Sequence, residues 1–211
     1  IDDSMFIFPT PDLKSTPVFR GPNTGDPPRS EKMTRDLAGR VMIKLGDNIT
    51  TDHITPAGAR LKYRSNVPKY AEFVFEKVDP AFSKRCLENK SQGLHNVIVA
   101  GESYGQGSSR EHAAVTLKAS GIAVILAESF ARIFYRNAIN LGLPLLVCPG
   151  IAKRVKRGDM LSVDPANGKV INQTTGASFT AQPLSAYVMA ILASGGIKPT
   201  LRKHRRLPLE G

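Results

Sequence analysis

Residues 96–148 read NVIVAGESYGQGSSREHAAVTLKASGIAVILAESFARIFYRNAINLGLPLLVC, and this stretch decides the fold. Asn96–Ala100 is an apolar run of strand length, followed by the glycine-rich turn Gly101–Gly107 and a predicted helix from Ser109 to about Ser120. Gly121 ends that helix, and Ile122–Ala127 supplies a second strand. Ser129 is placed to cap a helix reaching about Leu141, Gly142 stops it, and Pro144–Cys148 is a third strand. Apolar strands alternating with helices of about a dozen residues predict parallel β/α crossovers whose strands are buried on both faces.

Outward from this centre the pattern changes. Upstream, Arg40–Leu45 reads as a short strand and Gly46–Gly58 as a polar loop. Residues 68–90 are helical in part, with Pro68 in a first turn and Phe73, Phe75 and Val78 as apolar contacts. Downstream, Met160–Val163 and Lys169–Gln173 flank Asn167-Gly168, a hairpin dipeptide. A last helix is predicted from about Ser185 to Ala193, stopping at Gly195-Gly196. Residues 1–38 differ, being interrupted by Pro9, Pro11, Pro17, Pro22, Pro27 and Pro28. They read as an extended arm or linker, and Phe6, Ile7, Phe8, Val18 and Phe19 are expected to lay it along a surface. The expected organisation is an arm over 1–38 and one α/β domain over 39–211, with parallel crossovers and an additional antiparallel hairpin.

Bulk properties narrow the classes. The 211 residues are 41% hydrophobic and 22% charged, a globular composition able to bury a core. The longest apolar runs, Ile122–Ala127 and Leu143–Cys148, fall well short of the roughly 18–20 residues of a membrane helix. The chain begins Ile1-Asp2-Asp3 without Met or signal-peptide features, so a processed chain or a fragment of something longer is expected rather than a secretory precursor. Cys86 and Cys148 are its two cysteines. They form no disulfide framework and no Cys-x-x-Cys pair, and buried thiols in a cytoplasmic-type compartment (a mitochondrial matrix, if eukaryotic) are the plain expectation. The net charge of +11, from 29 Lys plus Arg against 18 Asp plus Glu, favours anionic partners such as nucleic acid, acidic small molecules or an acidic protein surface.

The chemistry gathers at Gly101–His112, a strand-to-helix turn. Backbone N–H groups at a helix start are unpaired and carry partial positive charge, and glycines allow a ligand close approach. A carboxylate or phosphate suits such a place. Arg110 adds a planar fork matched to a carboxylate. Serine is a poor base at its ordinary pKa, but helix-end amides and a nearby guanidinium stabilise an alkoxide formed at Ser108 or Ser109. The same residues, Ser108-Ser-Arg-Glu111, also read as a capping box, and both readings hold if one serine caps while the other faces a ligand. The third glycine of a dinucleotide fingerprint is missing, as is a Gly-x-Ser-x-Gly elbow. His112 follows Ser108 at i+4, but a Ser–His nucleophile needs a third, orienting group, and a helix histidine with a structural partner is the simpler reading.

A second polar loop spans Asp47–Gly58, with Arg60, Lys62 and Arg64 directly after it. Such a cationic run is commonly a solvated face. Asp52 and His53 are adjacent and need not act on one atom, and Asp52 is placed to hold an arginine. Two loops, one with an arginine and one with Ser-Ser-Arg, suit a substrate bearing two or three carboxylates.

Taken together, Thr51-Asp-His-Ile-Thr-Pro-Ala-Gly58, Gly105-Gln-Gly-Ser-Ser-Arg-Glu-His-Ala-Ala114 and Ser129-Phe-Ala-Arg-Ile133 resemble, in order, motifs of the swivelling β/β/α domain of the aconitase family. The resemblance covers roughly residues 39–197. It implies a hydro-lyase that interconverts citrate and isocitrate through cis-aconitate on a [4Fe–4S] cluster. Ser108 would be the base that takes and returns the carbon-bound proton. Ser109 and Arg110 would hold one substrate carboxylate and Arg64 another, with Asp52, His53 and Gly107 in support. The cluster would be held by other domains or another chain, because Cys86 and Cys148 do not match its cysteine motif, and the chain alone would be inactive. Isopropylmalate isomerase small subunits are stand-alone chains of similar size within the same superfamily. Their serine motif usually follows Asn-Phe-Gly-Cys-Gly, where this chain has Ser103-Tyr-Gly-Gln-Gly107. That difference, the Asp52-His-Ile-Thr-Pro-Ala-Gly58 motif and Arg64 put a tricarboxylate first, with homoaconitase or an isopropylmalate isomerase small subunit as the alternative.

A rival from another class is RNA binding. Lys153, Arg154, Lys156 and Arg157, with Arg202, Lys203, Arg205 and Arg206, make two basic clusters. The family includes members that bind messenger RNA when the cluster is lost. No aromatic residues interleave these clusters, which argues against a stacking platform for single strands, and a solvated or partner-facing surface is the plain alternative.

Overall fold

The computed structural model describes residues 4–9, 15, 17, 19–26, 32–33 and 37–205. Along the chain run β1 (Leu37–Lys44), α1 (Thr51–Ile54), a 3-10 turn (Gly58–Tyr63), α2 (Val67–Ala71), α3 (Phe82–Ser91), β2 (Asn96–Ala100), α4 (His112–Ala119), β3 (Ile122–Ala127) and α5 (Arg132–Asn140). Then follow β4 (Leu145–Val147), α6 (Ile151–Arg154), β5 (Met160–Asp164), β6 (Lys169–Asn172), β7 (Ser178–Thr180), α7 (Ala186–Ser194) and α8 (Ile197–His204). The strands make one sheet in the order β4-β3-β2-β1-β5-β6-β7. The β1–β2, β2–β3 and β3–β4 pairs are parallel, and the β1–β5, β5–β6 and β6–β7 pairs antiparallel. This is the mixed α/β class expected, with β1 as the seam between the two halves.

Burial explains why the parallel strands are continuously apolar. Val97 and Val99 of β2 and Val124 and Leu126 of β3 enter one core cluster, with Leu161, Val170 and Leu192. Their neighbours Ile98, Ala100, Ile125 and Ala127 enter the other, with Phe75, Phe82, Leu117 and Phe134. Successive side chains of a strand point to opposite faces, so a strand covered on both sides needs an apolar residue at every position. In β1, Met42 and Ile43 both join the second of these clusters while Val41 joins the first. The β1–β2 register shifts between Val41 and Ile43, the break in alternation that a bulge produces. By contrast, β5, β6 and β7 alternate buried with more exposed residues, one face being open.

Several details depart from expectation. Helix α4 begins three residues later than predicted, at His112. Ser129 caps no helix; its Oγ accepts the Ser103 amide at 2.8 Å, and α5 begins only at Arg132 after Ala131. The hairpin at Asn167-Gly168 forms, but as a longer loop braced by Asp164, whose Oδ1 accepts the Ala166 and Asn167 amides at 3.1 and 3.2 Å. Strand β7 and helix α8 lack the length or apolar pattern to be read from sequence. Pro68 does sit in the first turn of α2, which Asn66 caps by accepting the Lys69 amide at 3.1 Å.

The sheet takes in Leu37 and Ala38, two residues that fell within the predicted arm. Of that arm, Pro11, Val18, Pro27 and Pro28 lie outside the described residues. The side chains of Phe6, Ile7, Phe8 and Phe19 are exposed, so they do not lay the arm on this chain as expected. Backbone bonds tie it to the domain, from the Gly25 amide to the Ser65 carbonyl at 2.9 Å and from the Met33 amide to the Leu192 carbonyl at 3.2 Å, and the Met33 side chain packs against the core. Among the described residues no helix is long and apolar enough to cross a membrane.

Candidate active site

The loop after β1 and the loop after β2 leave the sheet side by side, because their strands are parallel neighbours. They are joined along their length. The Asn48 amide donates to the Glu102 carbonyl at 2.8 Å, Gly105 to Ile49 at 2.7 Å, and Thr51 to Gln106 at 2.8 Å. Side chains add two more ties: the Glu102 amide to Asp47 Oδ1 at 2.7 Å and Gln106 Nε2 to Asn48 Oδ1 at 2.9 Å. The two motifs recognised separately in the sequence thus form one platform.

Gly105 shows what this joining demands. Its φ is +87°, and a Cβ there would stand 2.3 Å from Phe134 Cγ. Only glycine lets the turn run between the upstream loop and the Phe134 ring. Gly107, at φ +100°, has open space toward solvent, and its missing Cβ would lie 3.5 Å from Thr51 Oγ1.

The expected capping box over Ser108–Glu111 does not form. The residue before α4 is Glu111, in helical conformation and without a side-chain cap bond. The chain is held extended through Gln106 by Ile49 and Thr51, and Arg110 is drawn to Asp52, so the helix cannot begin until these ties end. A capping box forms one loop away. Thr50 Oγ1 accepts the His53 amide at 3.2 Å, and the Thr50 amide donates to His53 Nδ1 at 3.1 Å. His53 therefore holds the start of α1, a local role the sequence pattern did not reveal.

Ser108 and Ser109 are exposed at the head of the platform. Asn137 of α5 donates from Nδ2 to the Ser109 carbonyl at 3.2 Å, and Arg110 Nη2 is paired with Asp52 Oδ1. The Arg110 side chain is largely covered and that of Asp52 largely open. Asp52 thus aims the guanidinium while the serines stay accessible. Tyr70 lies close by, its hydroxyl donating to the Pro56 carbonyl at 2.9 Å. Burial pushes the Tyr70 phenol up, Arg110 acts to lower it, and Asp52 to raise it. His112 lies in the first turn of α4, its ring 6.0 Å from that of Tyr70.

Among the described residues Arg64 makes no hydrogen bond or ion pair to the serine turn. It closes the 3-10 turn, is exposed, and has no side-chain hydrogen bond or ion pair among the described residues. The neighbouring cations are committed elsewhere: Arg60 pairs with Glu76 at 3.2 Å and stacks 4.0 Å over Phe73, and Lys62 lies over Tyr63. Gln106, Asn48 and Asn137 are the site's unanticipated members. Each is an ordinary polar residue in sequence, and only the partner across the loop gives it a function.

The described residues do not fit a cluster or metal site of their own. No group of three or more His, Cys, Asp or Glu converges among them. Cys86 and Cys148 are both fully buried, and burial pushes their thiols up to about 12 and about 11, away from the thiolate that a cluster ligand must be. Of the basic clusters, Arg154 lies over the Phe179 ring and Arg157 is 3.7 Å from Asp79. Arg206 lies outside the described residues.

With this geometry in hand, similarity to known proteins is specific. The model of the aconitase C-terminal domain family matches residues 40–149. The isopropylmalate/citramalate isomerase small subunit of Methanocaldococcus jannaschii is 45% identical over 167 residues, covering 79% of this chain and 94% of that protein. The 3-isopropylmalate dehydratase small subunit 2 of Archaeoglobus fulgidus is 44% identical over 168 residues, covering 80% and 96%. A crystal structure of 3-isopropylmalate dehydratase from Methanocaldococcus jannaschii superposes with a TM-score of 0.67 at 32% identity, covering 81% of this chain and 95% of that one. These relatives are of the kind ranked second from the sequence, since the Ser-Ser-Arg turn marks the shared chemistry and not the substrate. The chain belongs to the aconitase C-terminal domain family, and its relatives include the small subunits of isopropylmalate dehydratases.

Proposed function

We propose that this chain supplies the proton-transferring, carboxylate-holding half of a hydro-lyase site, and that a cluster-bearing large subunit or domain completes it. The observation that carries this is the Arg110–Asp52 pair, which fixes a guanidinium beside two exposed serines on a platform tied at both loops. Ser108 takes the proton from the carbon next to a substrate carboxylate, the C–H electrons become the new C=C bond, and the hydroxyl of the neighbouring carbon leaves with the C–O pair as water, its proton supplied from the partner's side of the site. Readdition of water in the opposite sense puts the hydroxyl on the carbon that lost the proton and returns the Ser108 proton to the carbon that lost the hydroxyl, which gives the isomer. Charge grows on the carboxylate during proton removal, where Arg110 and the Ser109 side chain face it, so preorganised donors act on the transition state more than on the ground state. The [4Fe–4S] cluster of this chemistry belongs to the partner.

The relatives' names support a hydroxy dicarboxylate of the isopropylmalate kind as substrate. A tricarboxylate such as citrate is the second reading, favoured by the Arg64 guanidinium, which has no partner among the described residues, and by Gln106 in the turn. The test is reconstitution with an aconitase-type cluster-bearing subunit, measuring dehydration of 3-isopropylmalate and of citrate side by side. Ser108→Ala is expected to lower turnover by about 100-fold or more, the contribution of a general base. Near-normal turnover in that variant refutes the role of Ser108, and the preferred substrate decides between the two readings.

A further inference from the structure

Two buried hydroxyls on this platform have no hydrogen-bond partner among the described residues, those of Tyr104 and Thr51; the Tyr104 ring is enclosed by Phe130 and Phe134, whereas Thr51 faces the serine turn. Thr51 Oγ1 is buried, the residue being 2% exposed, and it neither donates nor accepts a hydrogen bond. Buried hydroxyls are ordinarily satisfied, and an unsatisfied one is costly to keep. The Thr51 backbone is not at fault, since its amide donates to the Gln106 carbonyl at 2.8 Å. This bond fixes Thr51 directly beneath the serine turn. The Oγ1 atom faces Gly107, 3.5 Å from where a Cβ would stand. It therefore faces the residue that leads into Ser108. Gly107, at φ +100° and open to solvent, is the point at which that peptide turns most freely.

Deepening the function proposed above, we propose that Thr51 is a positioning residue for Ser108: its hydroxyl bonds the Gly107–Ser108 peptide when substrate occupies the turn. In the resting protein the hydroxyl is held ready and unpaired. A carboxylate drawn to the Ser109 side chain and Arg110 moves the turn by the short distance that closes this bond, which sets the direction of Ser108 Oγ. The neighbouring Asp52 orients Arg110 from the same short helix, so α1 governs both the base and the carboxylate grip.

Two substitutions test this in the reconstituted complex with the cluster-bearing subunit. Thr51→Val keeps the shape and removes the hydroxyl, and Thr51→Ser keeps the hydroxyl. Thr51→Val is expected to lower kcat about tenfold or more with KM within about twofold, and Thr51→Ser to stay within about threefold of the parent. The melting temperature of Thr51→Val should be equal to or higher than that of the parent, because no bond is lost from the resting fold. A kcat for Thr51→Val within twofold of the parent overturns the proposal. So does a fall in melting temperature that matches the loss of activity, which marks a purely structural residue. An inactive parent complex, on both substrates, overturns the functional reading itself and this inference with it.

Discussion

Gly105→Ala tests whether the serine platform is shaped by packing against α5. The substitution does two things at once. At φ +87° an L-residue is strained, costing about 1–2 kcal/mol. The new methyl also stands 2.3, 2.6 and 2.7 Å from Phe134 Cγ, Cβ and Cδ1. Phe134 is 1% exposed and packs edge-on to Tyr104 at 5.3 Å, so it cannot swing aside, and overpacking of this kind costs roughly 1–3 kcal/mol. The sum is about 2–5 kcal/mol, or roughly 4–20 °C in Tm for a chain of this size. Two controls separate the contributions. Gly176→Ala, at φ +77° with nothing within 4 Å, carries the backbone cost alone, and Gly46→Ala, with nothing within 4 Å and no positive φ, should be close to neutral. Urea midpoints at constant m-value give the three numbers. If Gly105→Ala costs no more than Gly176→Ala, the contact with Phe134 does not shape the turn and the reasoning is refuted.

Further outcomes follow from single features. Asp52→Asn removes the ion pair to Arg110; because Asp52 is mostly exposed, stability should change by less than about 1 kcal/mol, while reconstituted turnover should fall on the order of tenfold to a hundredfold as Arg110 loses its aim. A variant with unchanged turnover would show that Arg110 needs no such support. The hydrogen bonds from Arg85 to Asp79, at 3.1 and 2.5 Å, hold the Asp79 carboxyl below its usual range. Its folded pKa being depressed, its contribution to stability is complete above the unfolded value of about 3.9 and is lost as pH falls through the folded one. Urea midpoints measured from pH 7 down to pH 2 should show that loss, and Arg85→Gln should reduce it. Finally, Cys86 and Cys148, buried with raised thiol pKa values, should react with a disulfide reagent at neutral pH only after unfolding; rapid labelling of the native chain would contradict their placement.

How much of this was readable beforehand varies by element. Asn96–Ala100 and Ile122–Ala127 coincide with their predicted bounds, because a strand covered on both faces is apolar at every position and glycines mark its ends. The start of α4 was misplaced for an equally physical reason. Ser108-Ser-Arg-Glu111 has the local pattern of a capping box, but bonds from Ile49 and Thr51, more than fifty residues away in sequence, hold the turn open. Local propensity yields to such ties when they satisfy more groups than the cap does. Conversely, Thr50 and His53 cap α1, although His53 was read only as a supporting site residue.

By itself the sequence determined the parallel β/α half, the mixed class, the family and the candidates Ser108, Ser109, Arg110 and Asp52, since apolar periodicity and short motifs are properties of neighbouring residues. Only the tertiary structure decided that the two motif loops form one platform, that Asp52 aims Arg110, and that Thr51 faces Gly107 without a partner among the described residues. Those facts depend on β1 and β2 lying side by side in the sheet, a pairing between residues more than fifty positions apart that no local pattern encodes.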